Sequence, residues 1–118
     1  MHERSLVQSL LSQVEHLSAQ HDAVAVDSVT VELGPLSGVE AELIRSAYSD
    51  LAALRFRNEP ELIIREVPLR VRCRSCGRQS TVLDLVLQCS GCGSTRVHIT
   101  SGDAFCLVDI GLQVPTPA

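Results

Sequence analysis

Residues 69–93 read LRVRCRSCGRQSTVLDLVLQCSGCG, and this stretch decides the architecture. It holds two Cys-x-x-Cys pairs, Cys73/Cys76 and Cys89/Cys92, twelve residues apart, with Gly77 behind the first pair and Gly91 and Gly93 around the second. Tight turns of this kind aim two thiolates inward from each pair, and four thiolates close a tetrahedral shell around Zn²⁺. Such a shell leaves no coordination position for a substrate, so the expected zinc is structural and hydrolytic zinc chemistry is excluded. A thioredoxin-type dithiol fits less well, because a second pair follows where that motif would continue into a helix. The fifth cysteine, Cys106, falls in an apolar alternation with Ala104, Val108 and Ile110 and reads as a small core residue.

Outward from the cysteines the pattern is α+β. Leu6, Val7, Leu10, Leu11, Val14 and Leu17 recur at helical spacing and predict an amphipathic helix over about 4–20. Val29, Val31 and Leu33 alternate with polar residues, predicting a strand that stops at Gly34-Pro35. Ser37 with Glu40 three residues on has the form of a capping box, opening a second helix through Leu43, Ile44, Ala47, Tyr48, Leu51 and Leu54. Glu59-Pro60 ends that helix; residues 62–72 follow as one strand or two, with Pro68 at an edge or bulge. Strands at 95–100 and 104–113 flank the Ser101-Gly102-Asp103 turn, and the tail after Val114 is expected to be disordered. The resulting expectation is two helices packed on one face of a small mixed sheet, with a four-cysteine zinc-ribbon-like insertion. Residues 1–68 plus 95–114 would form the body and 69–94 the zinc-binding domain.

The chain has 118 residues, 45% of them hydrophobic but only 3% aromatic with no Trp, so Leu, Val and Ile must make the core. No apolar run approaches the roughly 18 residues of a membrane span, and no signal-peptide pattern is present. With reduced cysteines this predicts a cytoplasmic protein. The net charge of −4 is uneven: residues 1–60 carry nine acids and four Arg, residues 61–118 five acids and six Arg. Arg70, Arg72, Arg74, Arg78 and Arg96 crowd the cysteine pairs. They suggest either a nucleic-acid face or plain compensation of the −2 charge of a zinc tetrathiolate. The acidic total, the absence of Lys and the lack of any aromatic residue between 57 and 104 favour compensation.

The other informative stretch is Met1-His2-Glu3. It places an α-amine, a backbone amide and an imidazole within two residues, a nitrogen set that suits Ni(II) or Cu(II). The bulk of His2 is expected to keep the initiator Met in place. Binding requires deprotonated nitrogens, so affinity should rise with pH across the ranges where imidazoles (about 6.5) and α-amines (about 7.7–8) titrate. His16 and His21 read as solvated residues and His98 as a structural one.

Taken together, Met1-His2-Glu3 directly ahead of a helix, Leu36-Ser37-Gly38-Val39-Glu40, the Cys73/Cys76/Cys89/Cys92 quartet and the Ser101-Gly102 turn resemble the HypA/HybF family of hydrogenase nickel-incorporation proteins. The resemblance spans nearly the whole chain. It implies a metallochaperone, not an enzyme. Its cargo would be Ni(II), delivered to the large subunit of [NiFe]-hydrogenase in concert with an accessory GTPase, and in some members to urease through that enzyme's accessory proteins. It implies a nickel site at His2, with Met1, Glu3 and Glu40 as further ligands, and a structural Zn(II) on Cys73, Cys76, Cys89 and Cys92. A monomer or loose homodimer is expected, with no membrane partner. The alternative reading is a zinc-ribbon module for nucleic acid or for protein adaptation. The chain departs from the family pattern in its apolar last strand, Asp103–Asp109, and in the arginine content of the ribbon.

Overall fold

The computed structural model describes residues 2–83 and 85–115, so Met1, Asp84 and the last three residues of the tail lie outside the description. The elements in chain order are α1 (Glu3–Gln20), β1 (Ala25–Leu33), α2 (Ala41–Arg55), β2 (Glu61–Glu66), β3 (Leu69–Cys73), β4 (Gln79–Val82), β5 (Val97–Ser101) and β6 (Phe105–Gln113). The fold is α+β, as the periodicity implies. Its strands, however, are shared between two three-stranded sheets rather than one, in the orders β2-β1-β6 and β4-β3-β5. The chain divides into two compact units: Met1–Val31, Val39–Ile64 and Leu107–Ala118 in the first, Glu32–Gly38 and Arg65–Cys106 in the second. Residues 95–106, placed with the body by the sequence reading, thus fall in the unit that holds the cysteines, because β5 pairs with β3.

In the first unit α1 buries Val7, Leu10, Leu11 and Val14, the i, i+3, i+4, i+7 stripe of an amphipathic helix. It ends where Asp22 turns left-handed (φ 50°), with Ala23 N–H donating to Ser18 O at 2.9 Å and Asp22 N–H to Ala19 O at 3.2 Å. That is the double bond of a Schellman end, made here without glycine. The second helix packs against α1 and buries Ile44, Tyr48, Leu51 and Ala52. Tyr48 Oη donates to Pro60 O at 2.8 Å, tying the helix to the chain just ahead of β2. Arg55 bridges the helices through Glu15 at 2.6 Å and Ser12 at 3.3 Å.

The capping box does not form. Helix α2 begins later than a cap at Ser37 would place it, with Glu40 as its N-cap and no side-chain cap bond. Ser37 spends its hydroxyl on Gly34 O (2.7 Å), inside the turn that Ser37 N–H also closes at 3.1 Å. Gly38, left-handed at φ 74°, stands between that turn and the helix. Local side-chain-to-backbone bonding in the turn competed with the cap and won.

The second unit is small. Its apolar cluster is Leu69, Val71 and Val82, with Val97 and Ile99 packed on it. Strand β3 lies antiparallel to both β4 and β5, with Arg70 opposite Thr81, Arg72 opposite Gln79 and His98, and a register shift against β5 after Arg70. Pro68, with Val67, separates β2 from β3, so residues 62–72 form two strands rather than one. Two stretches that are far apart in sequence meet here: Gly34 N–H donates to Ala104 O and Leu36 N–H to Gly102 O, each at 3.0 Å. The backbones approach so closely that a Cβ on Gly34 would sit 2.1 Å from Gly102 O.

Candidate metal centres

The four cysteines of the second unit converge. Cys73, Cys76, Cys89 and Cys92 place their sulfurs within 4.8 Å of one another, the only such set of three or more His, Cys, Asp or Glu among the described residues. Cys73 Sγ and Cys92 Sγ are 3.6 Å apart, as are Cys76 Sγ and Cys89 Sγ. Four sulfurs each at about 2.3 Å from a common centre would stand about 3.8 Å apart, so the cluster fits tetrahedral zinc.

The two pairs are built alike. Cys73 N–H donates to Arg78 O (2.9 Å) and Gly77 N–H to Cys73 O (3.0 Å); Cys89 N–H donates to Ser94 O (2.9 Å) and Gly93 N–H to Cys89 O (3.1 Å). Gly77 and Gly93 occupy equivalent left-handed positions, φ 77° and 74°, which a side chain would disfavour. Inside each turn, backbone amides donate to the leading sulfur: Ser75 and Cys76 to Cys73 Sγ at 3.3 and 3.4 Å, Gly91 and Cys92 to Cys89 Sγ at 3.3 and 3.5 Å.

Those amides bias the thiols towards thiolate. Cys89 is drawn down to about 6, first by the Cys92 amide and then by the Gly91 amide, against the opposing effect of burial. Cys73 is lowered by the Cys76 amide, again against burial. At Cys92 the Ser94 amide pulls downward, but the Cys73 sulfur, burial and the remaining sulfurs outweigh it and leave the thiol at about 11. Four sulfurs crowded together cannot all carry charge without a cation, and a divalent ion removes that conflict.

Sequence reasoning missed the supports around the cluster. Ser75 Oγ and Ser94 Oγ join the two turns at 3.1 Å, and Ser80 of β4 meets Ser90 through its hydroxyl at 3.0 Å and through the Ser90 amide at 3.3 Å. The side chain of Arg78 lies over Gly91, where an added Cβ would meet Arg78 Cδ at 3.0 Å. This arginine therefore sits across the second turn. No spacing rule announces such partners, since they meet only once the turns are formed.

The described residues of the expected nickel set, His2, Glu3 and Glu40, belong to the first unit. His2 is the N-cap of α1, exposed, with no side-chain cap bond, and its carbonyl accepts from Leu6 N–H at 3.1 Å. Its own amide precedes the helix and is not consumed by helical pairing. Glu3 follows in the first turn, buried at 7% exposure and already engaged in a polar contact. Glu40 is exposed at the start of α2, and the loss of the capping box removes the structural role its sequence suggested. Met1 lies outside the described residues. Of the other candidates, His16, His21 and His98 are exposed, and so is Cys106, which corrects the expectation that it is a core residue. The inward residues of β6 are Phe105 and Leu107, then Ile110 and Leu112; the alternation slips at Val108–Asp109 and leaves Cys106 outside.

Known proteins resemble this chain over nearly its whole length. The family model described as hydrogenase/urease nickel incorporation, metallochaperone, hypA matches residues 1–112. The hydrogenase maturation factor HypA of Nitrosospira multiformis is 38% identical over 112 residues, covering 95% of this chain and 97% of that protein. That of Aquifex aeolicus is 37% identical over 114 residues, covering 97% and 99%. The solution structure of the Ni metallochaperone HypA from Helicobacter pylori superposes with a TM-score of 0.74 at 25% identity, covering 98% of this chain and all of that one. Among the described residues, no helix is long and apolar enough to cross a membrane.

Proposed function

The chain belongs to the HypA family of hydrogenase/urease nickel-incorporation metallochaperones, and on that premise we propose that it takes up Ni(II) at its amino terminus and hands it on during the maturation of [NiFe]-hydrogenase. The observation that carries this reading is the state of His2. Its imidazole is exposed and uncommitted to capping, at a position whose backbone amide helical pairing leaves alone. The Met1 amine, the His2 amide and the His2 imidazole then form adjoining chelate rings, a geometry that favours planar Ni(II).

A divalent cation at a helix N-terminus meets the positive end of the helix dipole, an opposition worth roughly 0.3–1 kcal/mol. The deprotonated amide and the carboxylates of Glu3 and Glu40, each at a helix start, offset it. The site remains open and protonatable, which is what a cargo site needs. Zinc is resident rather than carried: bound by Cys73, Cys76, Cys89 and Cys92, it supplies a closed crosslink to a unit with few aliphatic residues of its own. The protein catalyses no reaction in this scheme. It works in the cytoplasm with the nickel-handling GTPase and the hydrogenase large subunit, and urease accessory proteins are a further destination.

Nickel titration of the untagged protein against His2→Ala, with zinc content measured in both, tests the assignment. We expect the variant to lose its nickel equivalent while keeping zinc and its circular dichroism spectrum. A residue or tag placed ahead of Met1 should act like the substitution. Undiminished nickel binding by His2→Ala would overturn the reading.

A further inference from the structure

The first unit holds a cleft at the end of α1 away from His2, and nickel handling makes no use of it. Helix α1 runs 18 residues from its N-cap at His2, about 27 Å of helix. Past its far end Val24 N–H donates to Gln113 O at 2.8 Å, joining the start of β1 to the end of β6. The chain leaving α2 meets this junction, and together they line a cleft of about 360 Å³ with Val24, Val26, Asp27, Phe56, Arg57 and Gln113 in its walls. All of these residues belong to the first unit.

Asp27 and Arg57 share the cleft with opposite charges, both exposed, and make no ion pair with each other. Asp27 accepts a bond from Gln113 Nε2 at 2.8 Å, which orients its carboxylate. Among the described residues, Arg57 makes no ion pair and no side-chain hydrogen bond. Compensation of the helix dipole does not account for it. The last turn of α2 already carries Arg55, itself held by Glu15 at 2.6 Å, and the C-cap Phe56 is extended (φ −124°, ψ 140°), so the chain has left the helix before Arg57. The apolar part of the cleft is Val26, which is buried, Phe56, which is half-buried, and Val24, which is 70% exposed.

This combination selects a ligand. An anion alone is opposed by Asp27, a cation alone by Arg57, and an uncharged apolar molecule leaves both charges unanswered. A compact molecule that carries both signs answers the pair. The volume lies at the lower end of the roughly 300–1,000 Å³ of small-molecule sites, which suits a small metabolite and is too little for a nucleotide with its phosphates.

We infer that this cleft binds a free α-amino acid with an aliphatic side chain, its carboxylate on Arg57, its ammonium on Asp27 and its side chain against Val24, Val26 and Phe56. A guanidinium matches a carboxylate through two parallel N–H bonds, and Gln113 holds Asp27 ready for the ammonium. Both charge pairs stay in contact with water and are screened, so the affinity is low, with Kd on the order of 1 mM. The bound molecule links the start of β1, the end of β6 and the segment after α2.

The test titrates the isotope-labelled, zinc-loaded full chain with L-leucine to about 20 mM and follows amide chemical shifts. Saturable shifts are expected at residues 24–27, 56–58 and 113, with none around His2. N-acetyl-leucine lacks the ammonium, leucinamide the carboxylate and glycine the side chain; each should bind about tenfold more weakly, one decade of Kd. Arg57→Gln and Asp27→Asn should each weaken leucine binding by about the same factor. Both positions are exposed, the spectra report whether the variants fold, and the analogues probe the same contacts without altering the chain. His2→Ala should bind leucine normally, which separates this inference from the nickel assignment. Absence of saturable shifts at the cleft, binding of N-acetyl-leucine or leucinamide as tight as that of leucine, or leucine binding undiminished by both substitutions would each overturn it.

Discussion

At the scale of single residues, glycine and histidine carry the strongest constraints. Gly77 and Gly93 close the two cysteine turns from equivalent left-handed positions, so a β-branched side chain at either strains the four-cysteine cluster without touching a sulfur. Gly93→Val should weaken zinc retention by about 1–2 kcal/mol in a chelator competition, with nickel binding unaffected. Gly34 is constrained differently, by a backbone carbonyl where its Cβ would go. Carbonyl and chain cannot both stay, and Gly34→Ala should lower the thermal midpoint by more than about 5 °C. At His2 the prediction concerns protons. Nickel competes with them for nitrogen, so nickel affinity should fall as pH is lowered. Isothermal titration between about pH 6 and 8 reads this directly, and an affinity flat across that range would point to ligands other than nitrogen.

At the scale of elements, α2 shows how a sequence signature can be right about a helix and wrong about its start. Ser37 and Glu40 have capping-box spacing, yet Ser37 closes the Gly34–Ser37 turn and α2 begins after Glu40. Ser37→Ala should therefore leave hydrogen-exchange protection of α2 unchanged, whereas a true cap would cost about 1 kcal/mol of helix stability. The body of the same helix is secured by Tyr48, whose phenol is buried against Pro60 O and whose pKa is pushed up by burial and then by the charge of Glu59. A phenol that ionises with more difficulty when folded stabilises the protein fully below the unfolded tyrosine value, about 10, and less as pH rises past it. Tyr48→Phe should cost about 1–2 kcal/mol at neutral pH through the orphaned carbonyl, and should flatten the alkaline loss of stability. Urea unfolding at neutral pH and on either side of about pH 10 checks both parts.

At the scale of the whole molecule, each unit is stabilised by its own means. The first buries two helical stripes and a central strand; the second has a five-residue apolar cluster and depends on its four sulfurs. Removing zinc with a chelator should therefore expose the amides of residues 65–106 to exchange while α1 and α2 stay protected. Loss of protection in both at once would mean that the chain folds as one cooperative body. Much of this organisation is legible in the sequence, because it rests on periodicity and short-range spacing. The stripe from Val7 to Val14 forms α1, Pro68 divides β2 from β3, and Cys-x-x-Cys brings two thiols to one turn whatever surrounds them. The nickel site proposed at Met1-His2-Glu3 rests on the same short-range logic, since it calls only for consecutive atoms of one chain. What tertiary structure alone decided depends on residues distant in sequence. The strands separated into two sheets because β5 found β3. Cys106 turned outward because β6 slipped its alternation at Val108–Asp109. Arg78 was committed to the cysteine turns while Arg70 and Arg72 were left facing solvent. A linear pattern states which side chains alternate, but strand pairing and turn closure choose the face each one presents.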